Sequence, residues 1–141
     1  MAHHRSISVA SSFALAALLA IGSGLAQAQA ELKLTGDQEV PANTSTAVGT
    51  GQITVAADGS VSGSVSAPTL QGTVAHIHVG AKGVNGPVII PLTSGPGGLW
   101  SVPAGAKLTA EQLQAYKAGG LYVNVHTAEH KGGEIRTQLI P

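Results

Sequence analysis

The chain contains no cysteine, only 3% of its residues are aromatic, and only 10% are charged. Without cysteine, the protein can form neither a disulfide framework nor a thiolate metal site. Seven basic and seven acidic residues give a formal net charge of zero, and this balance favours neither nucleic acid nor an anionic membrane as a partner. With so few aromatic rings, the core has to be built from valine, isoleucine, leucine and alanine. Among side chains that commonly carry chemistry, histidine is well represented, with six copies.

Residues 1–30 have the order of a secretory signal peptide. A short basic start precedes a run of about nine small and apolar residues, 13–21, which is too short to span a bilayer as a helix. Two overlapping A-x-A sites follow and end at Ala28 and Ala30, and we expect cleavage after Ala30. The sequence therefore predicts an exported protein, periplasmic or extracellular, in which residues 31–141 form a single domain without a membrane anchor.

Alternation of apolar and polar residues, punctuated by glycine and proline, predicts an all-β fold. Asp58–Gly59 predicts a two-residue hairpin turn, in which both residues would need a positive φ. About eight short strands suit an immunoglobulin-like or Greek-key β-sandwich, or a partly closed barrel. The predicted strands cover residues 32–34, 51–55, 61–65, 74–79, 88–92, 99–102, 121–127 and 134–140.

One segment departs from this alternation and predicts a short crossover helix of about ten residues. Thr109 is placed as its N-cap and Gln112 stands three positions later, the spacing of a capping box. Gly119 and Gly120 are suited to the end of the helix, where a left-handed residue is favoured.

Four histidines lie beyond the predicted leader, His76 and His78 as H-x-H and His126 and His130 as H-x3-H. Alternate side chains of a strand share a face, so His76 and His78 point the same way, and His126 shares its face with Asn124. Imidazoles without thiolates favour copper(II), zinc or nickel over iron–sulfur or calcium sites. We therefore predict a copper or zinc site formed by His76, His78 and His126, with His130 as a fourth or labile ligand. Ring nitrogens within about 3–4 Å of one another would favour this prediction.

Histidines on a sheet can also be structural, bonded to the backbone or to carboxylates, and Glu129 and Glu134 are near in sequence. Glu134 and Arg136 alternate along the last predicted strand, where they predict an ion pair or a clamp on the backbone. Asn124, Glu129, Glu134 and Arg136 are therefore candidates for a structural or supporting role beside the histidines. The metal-site and structural interpretations both stay open at this point.

No catalytic residues are predicted. No serine lies in a G-x-S-x-G turn, and the only aspartates, Asp37 and Asp58, have turn-like surroundings, so a hydrolase triad is disfavoured. The sequence thus indicates a binding module rather than an enzyme.

Four motifs follow one another along the chain: A-H-I-H-V-G at 75–80, G-V-N-G-P-V at 83–88, Y-V-N-V-H-T at 122–127 and G-E-I-R at 133–136, after L-T-G at 34–36 and E-V-P at 39–41. In this order they resemble the CHRD domain, named for chordin. The resemblance implies an all-β, immunoglobulin-like sandwich or barrel, but it says little about activity, since CHRD domains in chordin accompany modules that bind growth factors. Lys131 stands where proline is frequent in the family, and Thr137 where glycine is frequent.

A second function from another class is an extracellular adhesion or matrix module whose histidine face is structural or contacts a protein.

A looser similarity links the H-I-H stretch at 76–78 to the H-V-H strand of copper–zinc superoxide dismutase. The chain lacks the cysteine pair of that family and has no further histidine and aspartate set to complete a zinc loop. A dismutase-like metalloenzyme is therefore a third and less favoured function, since fold analogy does not transfer activity.

Overall fold

The computed structural model of the protein describes residues 29–141, so the predicted signal peptide at 1–30 lies almost wholly outside the described residues. No helix within that part of the chain is long and apolar enough to cross a membrane. The described chain forms nine strands and one α-helix. The elements are β1 (Leu32–Thr35), β2 (Val48–Val55), β3 (Val61–Ser66), β4 (Gly72–Val79), β5 (Val88–Pro91), β6 (Thr93–Ser94), β7 (Leu99–Ser101), α1 (Ala110–Lys117), β8 (Leu121–Thr127) and β9 (Ile135–Gln138), with short 3₁₀ turns at Gly36–Gln38 and Pro96–Gly98.

All nine strands belong to one antiparallel sheet in the order β5-β4-β8-β9-β1-β2-β3-β7-β6. The segment 88–94 brings the two ends of this sheet together, because its first half pairs with β4 and its second half with β7. Between the halves, the Leu92 N–H donates to the carbonyl of Ala75 at 2.9 Å. The sheet is therefore a nearly closed barrel, and the prediction of an all-β, partly closed barrel is confirmed.

The barrel interior is aliphatic, as the scarcity of aromatic residues requires. Strand β8 is buried at all seven positions, because β4 and β9 flank it, one face packs into the core and loops cover the other. Alternation along β4 and β8 sends Ala75, Ile77, Val123 and Val125 inward. The most deeply buried core side chains are Leu34, Val65, Ala67, Ala75, Ile77, Leu121, Val123, Val125 and Ile135, each exposed by 1% or less.

The helix begins as predicted, with Thr109 as its N-cap and a capping box completed by Gln112. It has eight residues instead of about ten, and Gly119 follows it with φ +74°. The β2–β3 hairpin is also present, but the expected turn is wrong: Gly59 has φ +86°, whereas no residue other than glycine in the described chain has a positive φ. The Asp58 carboxylate instead accepts from the N–H and hydroxyl of Ser60, a local bond that holds a different turn.

Candidate metal centre

The outward face of β4 and β8 carries the histidines. In the pairing register, His76 lies opposite Asn124, His78 opposite Tyr122, and Val74 opposite His126. Since Ile77 and Val123 are paired between them and point into the core, the polar side chains fall together on the other side. The structure therefore places three histidines and an asparagine on one face, as alternation predicts.

This face is covered rather than openly displayed, which differs from the simplest expectation. The exposed fraction is 2% for Asn124, 7% for His78 and 8% for His126, while His76 is partly exposed. Three segments lie over the face: the loop 80–87, the segment 36–43 and the hairpin 128–133. They are connected to it and to one another by hydrogen bonds and close packing. Strand alternation identifies the face but contains no information on what covers it.

His76, His78 and His126 converge. One ring nitrogen from each lies within 4.8 Å of the other two, a geometry that could hold a metal ion. His76 Nδ1 and His126 Nε2 are 3.1 Å apart, within the expected range, whereas the group as a whole is slightly more open. The ring centroid of His76 lies 4.9 Å from that of His126 and 5.5 Å from that of His78.

Backbone carbonyls hold two of the three rings by the nitrogen that faces away from the group. His126 Nδ1 is 2.8 Å from the carbonyl oxygen of Lys131, and His78 Nδ1 is 2.9 Å from that of Gly86. A carbonyl only accepts, so each Nδ1 carries the proton when it makes this bond, and the Nε2 of the neutral ring has a lone pair. For His78 this lone pair faces a second acceptor, since Nε2 lies 3.0 Å from Asn124 Oδ1. In turn, His126 Nε2 accepts from His76 Nδ1–H. Metal-binding histidines in proteins are oriented by the same kind of outer hydrogen bond.

The surroundings favour uncharged rings. Burial lowers the pKa of His76 below its ordinary value, and the neighbouring His126 and His78 lower it further. Burial likewise lowers the pKa of His78, and it outweighs the opposing effect of the contacts with the oxygens of Gly86 and Asn124. Neutral imidazole is the form that binds metal, so the lowered pKa values favour the ligand form of His76 and His78.

The amino-acid sequence identifies the family of this domain. The sequence model of the CHRD domain matches residues 30–139. The chain belongs to the CHRD domain family. Comparisons with curated proteins and with solved structures gave no match. In this CHRD domain the H-I-H stretch lies on β4 and the N-V-H stretch on β8, and these two motifs form the histidine face.

Arg136 clamps the loop 80–87 of the CHRD domain over the histidine face. It is 1% exposed, and its guanidinium carbon lies 3.4 Å above the centre of the Tyr122 ring. The other face of Tyr122 stacks on His78, with ring centroids 4.6 Å apart and planes 4° apart. Arg136 donates to the carbonyls of Ala81 and Val84 at 3.2 and 2.8 Å. The predicted backbone clamp is therefore present.

The alternative prediction, an ion pair between Arg136 and Glu134, is wrong. Glu134 precedes β9 and accepts from the hydroxyls of Ser45 and Thr127 at 2.7 and 2.6 Å. Burial raises the pKa of Glu134, but these two bonds outweigh that effect and hold it below its ordinary value. Two nearby hydroxyls thus satisfy the carboxylate, while the arginine reaches over the outer face.

The structure does not bring His130 or Glu129 into the group. His130 is partly buried in the hairpin, where its N–H donates to the Thr127 hydroxyl at 3.1 Å and its carbonyl accepts from Gly133. Glu129 is exposed. The hairpin does support the site, through the Lys131 carbonyl that holds His126. A backbone carbonyl is available from any residue, so the family departure at Lys131 does not remove this contact.

Sequence reasoning missed one residue, Glu39. It is 4% exposed, and its carboxylate lies beside the Asn124 amide nitrogen. Its Oε1 is buried without a hydrogen-bond partner in the described structure. Burial raises the pKa of Glu39, against the lowering effects of Asn124 and of the charge on Arg136. Its place in the E-V-P motif was the available signal, but nothing in the sequence connects that motif to the histidines.

Proposed function

We propose that this CHRD domain is an exported binding module, not an enzyme, that holds a copper or zinc ion through His76, His78 and His126. The observation that carries the proposal is that backbone hydrogen bonds fix the orientation of the His78 and His126 rings. Each is fixed by a backbone carbonyl on Nδ1, which leaves Nε2 as the donor atom. Purely structural histidines need only a hydrogen-bond partner. Here two rings are held by Nδ1, and one ring nitrogen of each of the three histidines lies within 4.8 Å of the others, as a ligand set requires.

The distances require a modest rearrangement. Two metal–nitrogen bonds of about 2.0–2.1 Å at a tetrahedral angle place their nitrogens about 3.4 Å apart. His76 and His126 are already at 3.1 Å, while the widest pair of the group, at up to 4.8 Å, has to close by at most about 1.4 Å to meet that value. Because His76 Nδ1 donates to His126, binding through this nitrogen also requires its proton to move to Nε2.

Three imidazoles with no thiolate in the chain suit copper(II) or zinc better than a soft metal or a hard cation such as calcium. Both candidate ions take a fourth ligand, so three histidines leave a coordination position to be filled. Export is supported by the predicted signal peptide, and sequencing the N-terminus of the secreted protein would test the expected start at residue 31.

Equilibrium titration of metal-stripped protein with copper(II) and with zinc tests the proposal. We expect one ion per chain and at least about a tenfold loss of affinity in His76→Ala and in His126→Ala. His130→Ala is the matched control, since this histidine lies outside the group, and its affinity should match the wild type. A stoichiometry below about one half, or unchanged affinity in both site variants, would refute the proposal.

A second function has a specific observation in its favour: an extracellular adhesion or matrix module in which the histidines are structural. Both ring nitrogens of His78 and of His126 have contacts within the protein, so the cluster is connected without an ion. On this view His76→Ala lowers the melting temperature equally with and without a chelator. If the metal proposal holds, the variant loses the part of the wild-type stability that the ion supplies, and chelator lowers the wild-type melting temperature alone.

A further inference from the structure

The hydrogen bonds of His78 are unbalanced. Its Nδ1 lies 2.9 Å from the carbonyl oxygen of Gly86, and its Nε2 lies 3.0 Å from Asn124 Oδ1. Both partners are acceptors, whereas a neutral imidazole has a single N–H. With the proton on Nδ1, two lone pairs face each other across 3.0 Å. A buried arrangement of this kind lacks a positive centre between the two atoms, and a metal ion is one way to supply it.

The amide of Asn124 is held in the orientation that creates this imbalance. Its nitrogen lies on the side of the Glu39 carboxylate. A side chain at Gly133 would contact both Glu39 Oε1 and Asn124 Nδ2, so these two atoms share one small space. Reversing the amide would place its oxygen against the carboxylate. Glu39 therefore directs the Asn124 oxygen toward the histidines.

We propose that Asn124 Oδ1 is the fourth ligand of the metal and that Glu39 orients it, an inference that rests on the proposed function. The sheet register places Asn124 centrally, directly opposite His76 and two residues before His126 on the same face. Bonds of about 2.0–2.1 Å with angles of 90–109° separate neighbouring donors by about 2.9–3.4 Å. The 3.0 Å between His78 Nε2 and Asn124 Oδ1 lies in this interval.

The resulting donor set is three nitrogens and one oxygen, with a buried carboxylate behind the oxygen. Glu39 has one oxygen without a partner among the described residues, and in its ionised form it would offset the charge of a divalent ion beside buried Arg136. Mixed nitrogen and oxygen donors suit tetragonal copper(II), so the site should bind copper(II) more tightly than zinc.

Nuclear magnetic resonance of the wild-type domain tests this contact directly with zinc, which is diamagnetic. The chain has three asparagines, at positions 43, 85 and 124, and the first two are internal controls. We expect zinc to shift the side-chain carbonyl carbon and amide resonances of Asn124 while those of Asn43 and Asn85 stay in place. Asn124→Ala should weaken copper(II) binding about 10–100-fold, and Glu39→Gln about tenfold.

The possible results distinguish the role of Asn124 as fourth ligand from the proposed three-histidine metal site. If the wild-type domain binds neither copper(II) nor zinc, both fail. If it binds but the Asn124 resonances do not move and Asn124→Ala keeps its affinity, the fourth ligand is refuted and the three-histidine site stands. Should Asn124→Ala fail to fold, the wild-type spectrum still decides. Unchanged affinity in Glu39→Gln would refute the orienting role of Glu39 alone.

Discussion

Replacing Arg136 with methionine should destabilise the domain by about 3–4 kcal/mol, a large part of the roughly 5–15 kcal/mol that a domain of this size possesses. Methionine keeps much of the apolar stem but removes the donors to the carbonyls of Ala81 and Val84, at 3.2 and 2.8 Å, and to Asn85 Oδ1 at 3.1 Å. Each buried acceptor left without a donor costs about 1–3 kcal/mol, less where the loop can relax. The lost contact with the Tyr122 ring adds about 1–2 kcal/mol. The expected loss is smaller than the sum of these energies, because the groups share one loop and their contributions are not additive.

Urea unfolding followed by fluorescence measures the effect, since Trp100 is the single tryptophan and is 6% exposed. Arg136→Lys is the matched control: it keeps the charge but lacks the planar fork, and we expect a smaller loss of about 1–3 kcal/mol. All hydrogen-bond acceptors of Arg136 are uncharged oxygens, and the nearby Glu39 is buried, so added salt should change the difference in unfolding free energy little. A loss below about 1 kcal/mol in Arg136→Met would refute the clamp.

Three further predictions follow from other parts of the structure. Because the folded state lowers the pKa of His76 and His78, these two side chains gain protons first in the unfolded chain as the pH falls below about 6.5. The free energy of unfolding, measured in urea without metal, should therefore fall from that pH down to the folded pKa values, and a flat profile would contradict the shifts. Gly133→Ala should lose about 1–3 kcal/mol, because its φ is +125° and a Cβ would contact Glu39 and Asn124, whereas Gly132→Ala, with nothing within 4 Å, should change stability little; equal losses would argue against the packing described. Thr109→Ala should cost about 1 kcal/mol by removing the helix cap while copper(II) affinity stays at the wild-type value, and a loss of affinity would mean that the helix and site are coupled.

Strand alternation sufficed to place His76, His78 and His126 on one face, because the period of two fixes which side chains share a side. It also placed Asn124 beside them. Alternation could not reveal β6, which has only two residues and exists because the segment 88–94 changes partners. Likewise, the cover over the face depends on where loops return, and that is set by contacts between residues far apart in sequence.

The predictions that failed have the same cause. The spacing of two residues predicts an ion pair between Glu134 and Arg136, yet each bonds to groups elsewhere in the fold. The sequence does not reveal the role of Glu39, because its neighbour Asn124 is separated from it by most of the domain. The alternation of residues along a strand shows on which face a side chain lies. The residues that surround and support the site are determined only when distant parts of the chain come together in the barrel.

The shared pairing of the segment 88–94 has a consequence for how this sheet meets other molecules. An open antiparallel sheet ends in two strands whose free N–H and C=O groups can accept a strand from a neighbour, the first step of edge-to-edge aggregation. Here one continuous segment occupies the outer sides of both β4 and β7, and both terminal strands are short. In a chain without cysteine, this junction joins the ends of the sheet where a covalent link is unavailable. Opening the barrel for strand exchange therefore requires the segment to leave one of its two partners.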